Sequence, residues 1–116
     1  MRAMPRKVLS SAIPTVVTLA ALFLVLPRGG AEATIRMTDA GGAFSFDPAE
    51  AELPAGSQLE FVNDTTRTHT ADCPGCPWHT GDVQPAQSVV VVVEQPGAYS
   101  FACRYHPEMT GVLTVS

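Results

Sequence analysis

Past residue 33 the chain falls into short stretches in which apolar and polar residues alternate, rich in Val, Phe, Tyr and Thr and separated by Gly and Pro. Alternation with period two puts successive side chains on opposite faces of an extended strand, and nothing here repeats with the 3.6-residue period of a helix. Residues 34–38 read as a first strand, closed by Asp39-Ala40-Gly41-Gly42. Residues 43–47 follow with Phe44 and Phe46 on one face, and Pro48 ends them because it has no N–H for a ladder. Glu50-Ala51-Glu52-Leu53 leads to a turn at Pro54-Ala55-Gly56. Residues 57–63 then alternate cleanly, Leu59 and Phe61 on one side, Glu60 and Val62 on the other. Residues 88–94 hold an unbroken valine run, which fits a strand buried on both sides or lying in a sandwich core. Gln95-Pro96-Gly97 turns the chain into a strand over 98–103, and 111–115 is the last. About seven strands at this spacing predict an all-β fold, a Greek-key sandwich of two sheets.

The first 33 residues follow another pattern. Arg2, Arg6 and Lys7 precede residues 8–26, which carry no charge, and Ala31-Glu32-Ala33 is a small-x-small site. These are the three parts of a secretory signal, with cleavage expected after Ala33. The uncharged run is also close to the length of a membrane span, so an uncleaved anchor is the alternative; Pro14, Ser10 and Ser11 weigh against it. Either way the chain is expected to be exported, to a periplasmic or extracellular location. Residues 34–116 leave room for one domain with one modest core.

Charge narrows the partners. Within residues 34–116, Arg36, Arg67 and Arg104 are the three strong bases against ten acids, a formal charge of 3 − 10 = −7. Such a surface repels nucleic acid and suits simple solubility or a basic partner. Cysteine usage narrows the chemistry: three Cys is an odd number, and an oxidising compartment pairs thiols, so one is left with its own task.

From 64 to 87 the strand signal fades, yet this stretch holds two of the three His, two of the three Cys and the sole Trp. A long irregular segment in a small domain usually carries function. The second concentration of chemistry is Cys103-Arg104-Tyr105-His106-Pro107-Glu108-Met109, which places a thiolate, an imidazole and a thioether on one loop between two strands. Taken singly these residues are ordinary: a buried Cys, a surface His, a core Met. Together, Cys-x2-His-x2-Met has no packing rationale, because His106 beside Pro107 interrupts any alternation. Two His, one Cys and a weakly bound Met form the donor set that suits copper cycling between Cu(I) and Cu(II). The missing fourth ligand is then His69, just past the strand ending in Phe61-Val62-Asn63, with His79 in reserve.

These residues carry a resemblance. Phe61-Val62-Asn63, His69 six positions past the Asn, and Gly97-x-Tyr99-x-Phe101-x-Cys103-x-x-His106-x-x-Met109-x-Gly111-x-Leu113-x-Val115 resemble the blue-copper cupredoxins, within them the small plastocyanin and amicyanin type. The two-residue gap between His106 and Met109 is similar to the amicyanin loop; that of plastocyanin is longer. The likeness takes in nearly all of the chain after the signal, including Phe46-x-Pro48 and Pro54-x-Gly56. It implies a sandwich of seven or eight strands binding one copper through His69, Cys103, His106 and Met109. It implies a monomeric carrier of single electrons between a donor and an acceptor protein, not an enzyme, since four protein ligands leave no open position for substrate. The edge of His106, beside Pro107, is the expected docking point, and the acidic surface favours partners with a basic patch. A copper-binding or delivery module without electron shuttling is the alternative. A dinuclear oxidase-type site would need a second Cys on the loop.

Cys73-Pro74-Gly75-Cys76-Pro77-Trp78-His79 departs from that family pattern. Three readings are open: a disulfide between Cys73 and Cys76 stapling the loop after His69, a redox-active dithiol, or a second metal site using Cys73, Cys76 and His79. The dithiol reading lacks the helix such a motif usually opens, and the metal reading lacks a fourth ligand. Trp78 reads as packing over this loop.

Overall fold

In the computed structural model, which describes residues 32–116, alternation decides which side of each strand faces inward. The strands are β1 (Glu32–Thr38), β2 (Ser45–Asp47), β3 (Glu50–Leu53), β4 (Ser57–Asn63), β5 (Ser88–Val93), β6 (Gly97–Ala102) and β7 (Thr110–Val115). In β4 every second residue is buried, from Ser57 through Leu59 and Phe61 to Asn63; in β1 the inward pair is Ile35 and Met37, in β7 Gly111, Leu113 and Val115. The strands form a four-stranded sheet in the order β2-β1-β4-β5 and a three-stranded sheet in the order β3-β7-β6. Within them β1 runs parallel to β4 and β3 parallel to β7, while the other pairs are antiparallel. This is the expected two-sheet all-β sandwich.

Between the sheets lies an apolar cluster that includes Ile35, Leu59, Phe61, Phe101 and Leu113. Phe101 is its hub: its ring meets Phe46 at 4.8 Å, Phe61 at 5.7 Å and Trp78 at 5.8 Å between centroids, each in a tilted or edge-on arrangement. Such pairs add about 0.5–1.5 kcal/mol each to the burial of the rings themselves. Trp78, expected to pack over its own loop, goes further and joins the core, stacking on Phe61 at 5.9 Å, though its indole Nε1 has no hydrogen-bond partner among the described residues.

The turn at Pro54-Ala55-Gly56 forms as read: Ser57 N–H donates to Pro54 O (3.2 Å), and Gly56 takes φ +86°, a conformation that a side chain would oppose. Other expectations need correction. Of the two readings of the valine run, a strand in the sandwich core holds and burial on both sides does not. β5 is an edge strand whose Val91 and Val93 face the core while Val90 and Val92 stand 52% and 46% exposed. β-branched residues favour the extended backbone whether or not both faces are covered, and a run of one residue type carries no period from which sidedness could be read. Phe44 does not join Phe46 on a strand face, because β2 starts at Ser45 and Phe44 stays in the preceding loop. β1 starts at Glu32, not residue 34: Glu32 and Ala33 pair with Gln58 and Leu59, so cleavage after Ala33 would remove two rungs of that ladder. The rest of the expected signal or anchor, residues 1–31, lies outside the described residues. No helix among the described residues is long and apolar enough to cross a membrane.

Candidate metal centre

Strand β6 delivers Cys103 to the end of the sandwich, and the chain then folds back through a loop closed by its own backbone. Cys103 N–H donates to Met109 O (3.0 Å) and Met109 N–H to His106 O (2.8 Å). The ring so closed holds residues 103–109 between β6 and β7. Cys103 is 2% and Met109 1% exposed, while His106 is half-buried.

The opposite wall comes from the irregular segment after β4. His69 exchanges backbone hydrogen bonds with Val83 (3.2 and 2.8 Å), and Asp72 does so with Ala102 (2.8 and 2.9 Å), which fastens the segment to the end of β6. Thr70, between them, donates its N–H to Cys103 Sγ (3.4 Å) and accepts the Arg104 N–H at its hydroxyl (2.8 Å). On the outside Arg104 Nε reaches Asp72 Oδ2 (3.1 Å) and the Tyr105 hydroxyl donates to Asp82 Oδ1 (2.7 Å). The carboxylate of Asp72 pushes the Arg104 guanidinium further above its ordinary value, and the bond to Asp82 pushes the Tyr105 phenol up.

These attachments bring His69, fully buried, against the loop. Its Nδ1 lies 3.6 Å from Cys103 Sγ, and His106 Nδ1 lies 3.8 Å from the same sulfur. The donor atoms of His69, Cys103 and His106 all fall within 4.8 Å of one another, the one such group of three or more among the described residues. Burial first, and the neighbouring His106 second, push the His69 imidazole below its ordinary value, with Asp39 opposing. A neutral ring with a free lone pair is what a metal ligand must offer. Phe44 roofs the group, its ring 4.7 Å from that of His69 and 4.5 Å from that of His106. Two imidazole nitrogens and a buried sulfur, with a thioether on the same closed loop, suit copper. Oxygen-seeking cations would find no carboxylate in the group.

Of the residues singled out in the sequence, His69, Cys103 and His106 converge, and Met109 is buried at the end of the same loop. His79 is exposed and outside the group, so the reserve candidate falls away. Cys73 and Cys76 are joined in a disulfide across a turn (Cα–Cα 5.3 Å) in which Cys76 N–H donates to Cys73 O at 2.9 Å; Cys103 is the free, buried thiol. The two are thus present as the expected disulfide, and while joined they offer no thiolate for the second-metal reading. Sequence reasoning missed Phe44, Thr65 and Thr70. One signal was present: Asn63 occupies an inward position of a clean alternation, and a buried amide demands polar partners nearby.

Comparison with known proteins places the family and the fold. The family model for the cupredoxin-like domain matches residues 13–115. Chloroplastic plastocyanin from Physcomitrium patens is 30% identical over 106 residues, covering 80% of this chain; the chain spans 63% of that protein's length. Among solved structures, a purple cupredoxin from Nitrosopumilus maritimus is 26% identical with a TM-score of 0.64, over 72% of this chain and 99% of that one. A copper-containing nitrite reductase from Thermus scotoductus is 25% identical (TM-score 0.66), over 84% of this chain but 24% of that one. An oxidised amicyanin variant shares the fold at 17% identity, TM-score 0.66, over 78% of this chain and 86% of that one.

Proposed function

We propose, given that this chain belongs to the cupredoxin-like family, that it is an exported carrier of single electrons, holding its metal through His69, Cys103, His106 and Met109. Its cofactor is one copper ion. The observation that carries the reading is the convergence of two imidazole nitrogens and one sulfur within 4.8 Å in a buried setting. Copper supplies a one-electron change between Cu(I) and Cu(II), and nitrogen and sulfur donors together tolerate both states.

The chain's own residues do the rest. Cys103 is fixed by the Thr70 N–H on its sulfur and by its own N–H on Met109 O, and His69 by its backbone pairing with Val83. Ligands held this firmly move little when the charge at the site changes, which keeps the reorganisation cost of each transfer low. Met109, buried at the end of the same loop, would supply a weak fourth donor from its thioether, and four protein ligands would leave no place for a substrate, which favours a carrier over an enzyme. Phe44, Cys103 and Met109 exclude water on the inner side. His106 is the half-buried ligand, and its outer edge beside exposed Pro107 is the route to a docked partner. The donor and acceptor are redox proteins with basic patches, matched to the −7 formal charge of residues 34–116, and the domain works as a monomer. The residues ahead of β1 direct export, to a periplasmic or extracellular location.

Protein-film voltammetry of the copper-loaded chain tests this. A reversible one-electron wave with the metal retained through repeated cycles is expected. An irreversible wave, with copper lost to a Cu(I) chelator at each reduction, would favour a copper-delivery module instead.

A further inference from the structure

The far side of the His69 ring is as tightly specified as the side that faces Cys103. Its Nε2 lies 2.9 Å from the Thr65 hydroxyl, and both residues are buried. That oxygen has three further neighbours: Asn63 Oδ1 at 2.8 Å, Arg67 O at 3.0 Å and Arg67 N at 3.1 Å. A hydroxyl has one proton to give and two lone pairs, so the proton positions can be worked out in turn.

Asn63 comes first. Its Nδ2 meets two carbonyls, Arg67 O at 2.7 Å and Val83 O at 2.8 Å, which only an NH2 group can satisfy. Its Oδ1 therefore faces Thr65, where it accepts the Thr65 N–H at 2.9 Å. Neither Asn63 Oδ1 at 2.8 Å nor Arg67 O at 3.0 Å has a proton to offer, so the Thr65 hydroxyl supplies the one these two acceptors share. One lone pair of that hydroxyl accepts the Arg67 N–H. The lone pair that remains can only accept, and what it faces is His69 Nε2.

We infer that Thr65, itself oriented by Asn63, is a positioning residue that holds His69 as the Nε2–H tautomer and so aims the Nδ1 lone pair at the metal position beside Cys103. The inference rests on the copper reading for its purpose but not for its geometry, since the network is complete within the protein. It has an electronic consequence as well. An acceptor on Nε2–H makes the ring a stronger donor, and a hydrogen-bonded partner behind a ligating His is worth 10–100-fold in metal affinity. A stronger nitrogen donor favours Cu(II), so losing the acceptor should raise the reduction potential.

The test uses Thr65→Val, which keeps the shape and removes the acceptor, with Thr65→Ser, which restores it. Copper(II) affinity should fall 10–100-fold in Thr65→Val with a higher reduction potential, and both should return toward the unsubstituted values in Thr65→Ser. Nitrogen-15 NMR of the unsubstituted, metal-free full chain gives a reading that needs no variant to fold: His69 Nε2 should carry the proton and exchange it slowly with solvent. A proton on Nδ1 would overturn the inference, as would Thr65→Val with unchanged affinity and potential. Failure of the copper reading would look different, since the unsubstituted chain would then bind no copper while His69 kept the same tautomer.

Discussion

One added methyl group, Gly111→Ala, probes whether the core that carries the metal loop is as rigid as the account requires. Gly111 is buried, lies two residues past Met109 and pairs across the ladder with Phe101, itself two residues before Cys103. A Cβ at Gly111 would collide with Phe101 Cζ and lie 2.6 Å from its Cε2 and 3.0 Å from Ala49 O. Carbon atoms in ordinary contact sit about 3.5–4.0 Å apart, so roughly 1 Å must be found somewhere. The ring cannot readily give it, being 2% exposed and wedged among Phe46, Phe61 and Trp78. The backbone at Ala49 is held by the Val112 N–H at 2.8 Å. Overpacking of this kind costs about 1–3 kcal/mol, and a site closed on both sides belongs at the upper end. For a domain of this size, about 2–3 kcal/mol lowers Tm by roughly 10–20 °C. Circular-dichroism melts of the metal-free protein read it directly, with Gly41→Ala as the control because a Cβ there meets nothing within 4 Å. If Gly111→Ala melts within about 2 °C of the unsubstituted chain, the aromatic hub yields easily and the rigidity argument fails.

Replacing both Cys73 and Cys76 by Ser should cost about 2 kcal/mol, the loop-entropy value for so short a span, and leave copper binding intact. Thiol titration of the denatured, unsubstituted protein should find one free Cys, and three would refute the disulfide. Met109→Leu should keep the visible colour and raise the reduction potential, because removing a sulfur donor disfavours Cu(II); a lowered potential would count against Met109 as axial ligand.

Particular residues show what could be read from the chain. β4 was legible to the residue because its alternation is unbroken and its two faces differ in polarity. The metal loop was legible because Cys103, His106 and Met109 are close in sequence and too chemically specific to be packing. His69 could be placed only by its distance from Asn63, since nothing in a polar turn announces a ligand. Phe44 was misread for a physical reason: its alternation with Phe46 looks like a strand, but its ring is held by two imidazoles contributed from distant parts of the chain. Thr65 was invisible because its role follows from counting protons among four neighbours, which requires coordinates. The valine run of β5 concealed its exposed face for want of any contrast along it, and the length of β1 was obscured because Glu32 and Ala33, its first two residues, also read as part of a cleavage site.

The most direct measurement is the optical and electron-spin-resonance spectrum of the chain with one equivalent of Cu(II), taken beside Cys103→Ser. Intense absorption toward the red end of the visible, from thiolate-to-copper charge transfer, is expected in the unsubstituted protein, with its loss in Cys103→Ser. Tight copper binding without that absorption, or colour that survives removal of the Cys103 sulfur, would contradict this expectation.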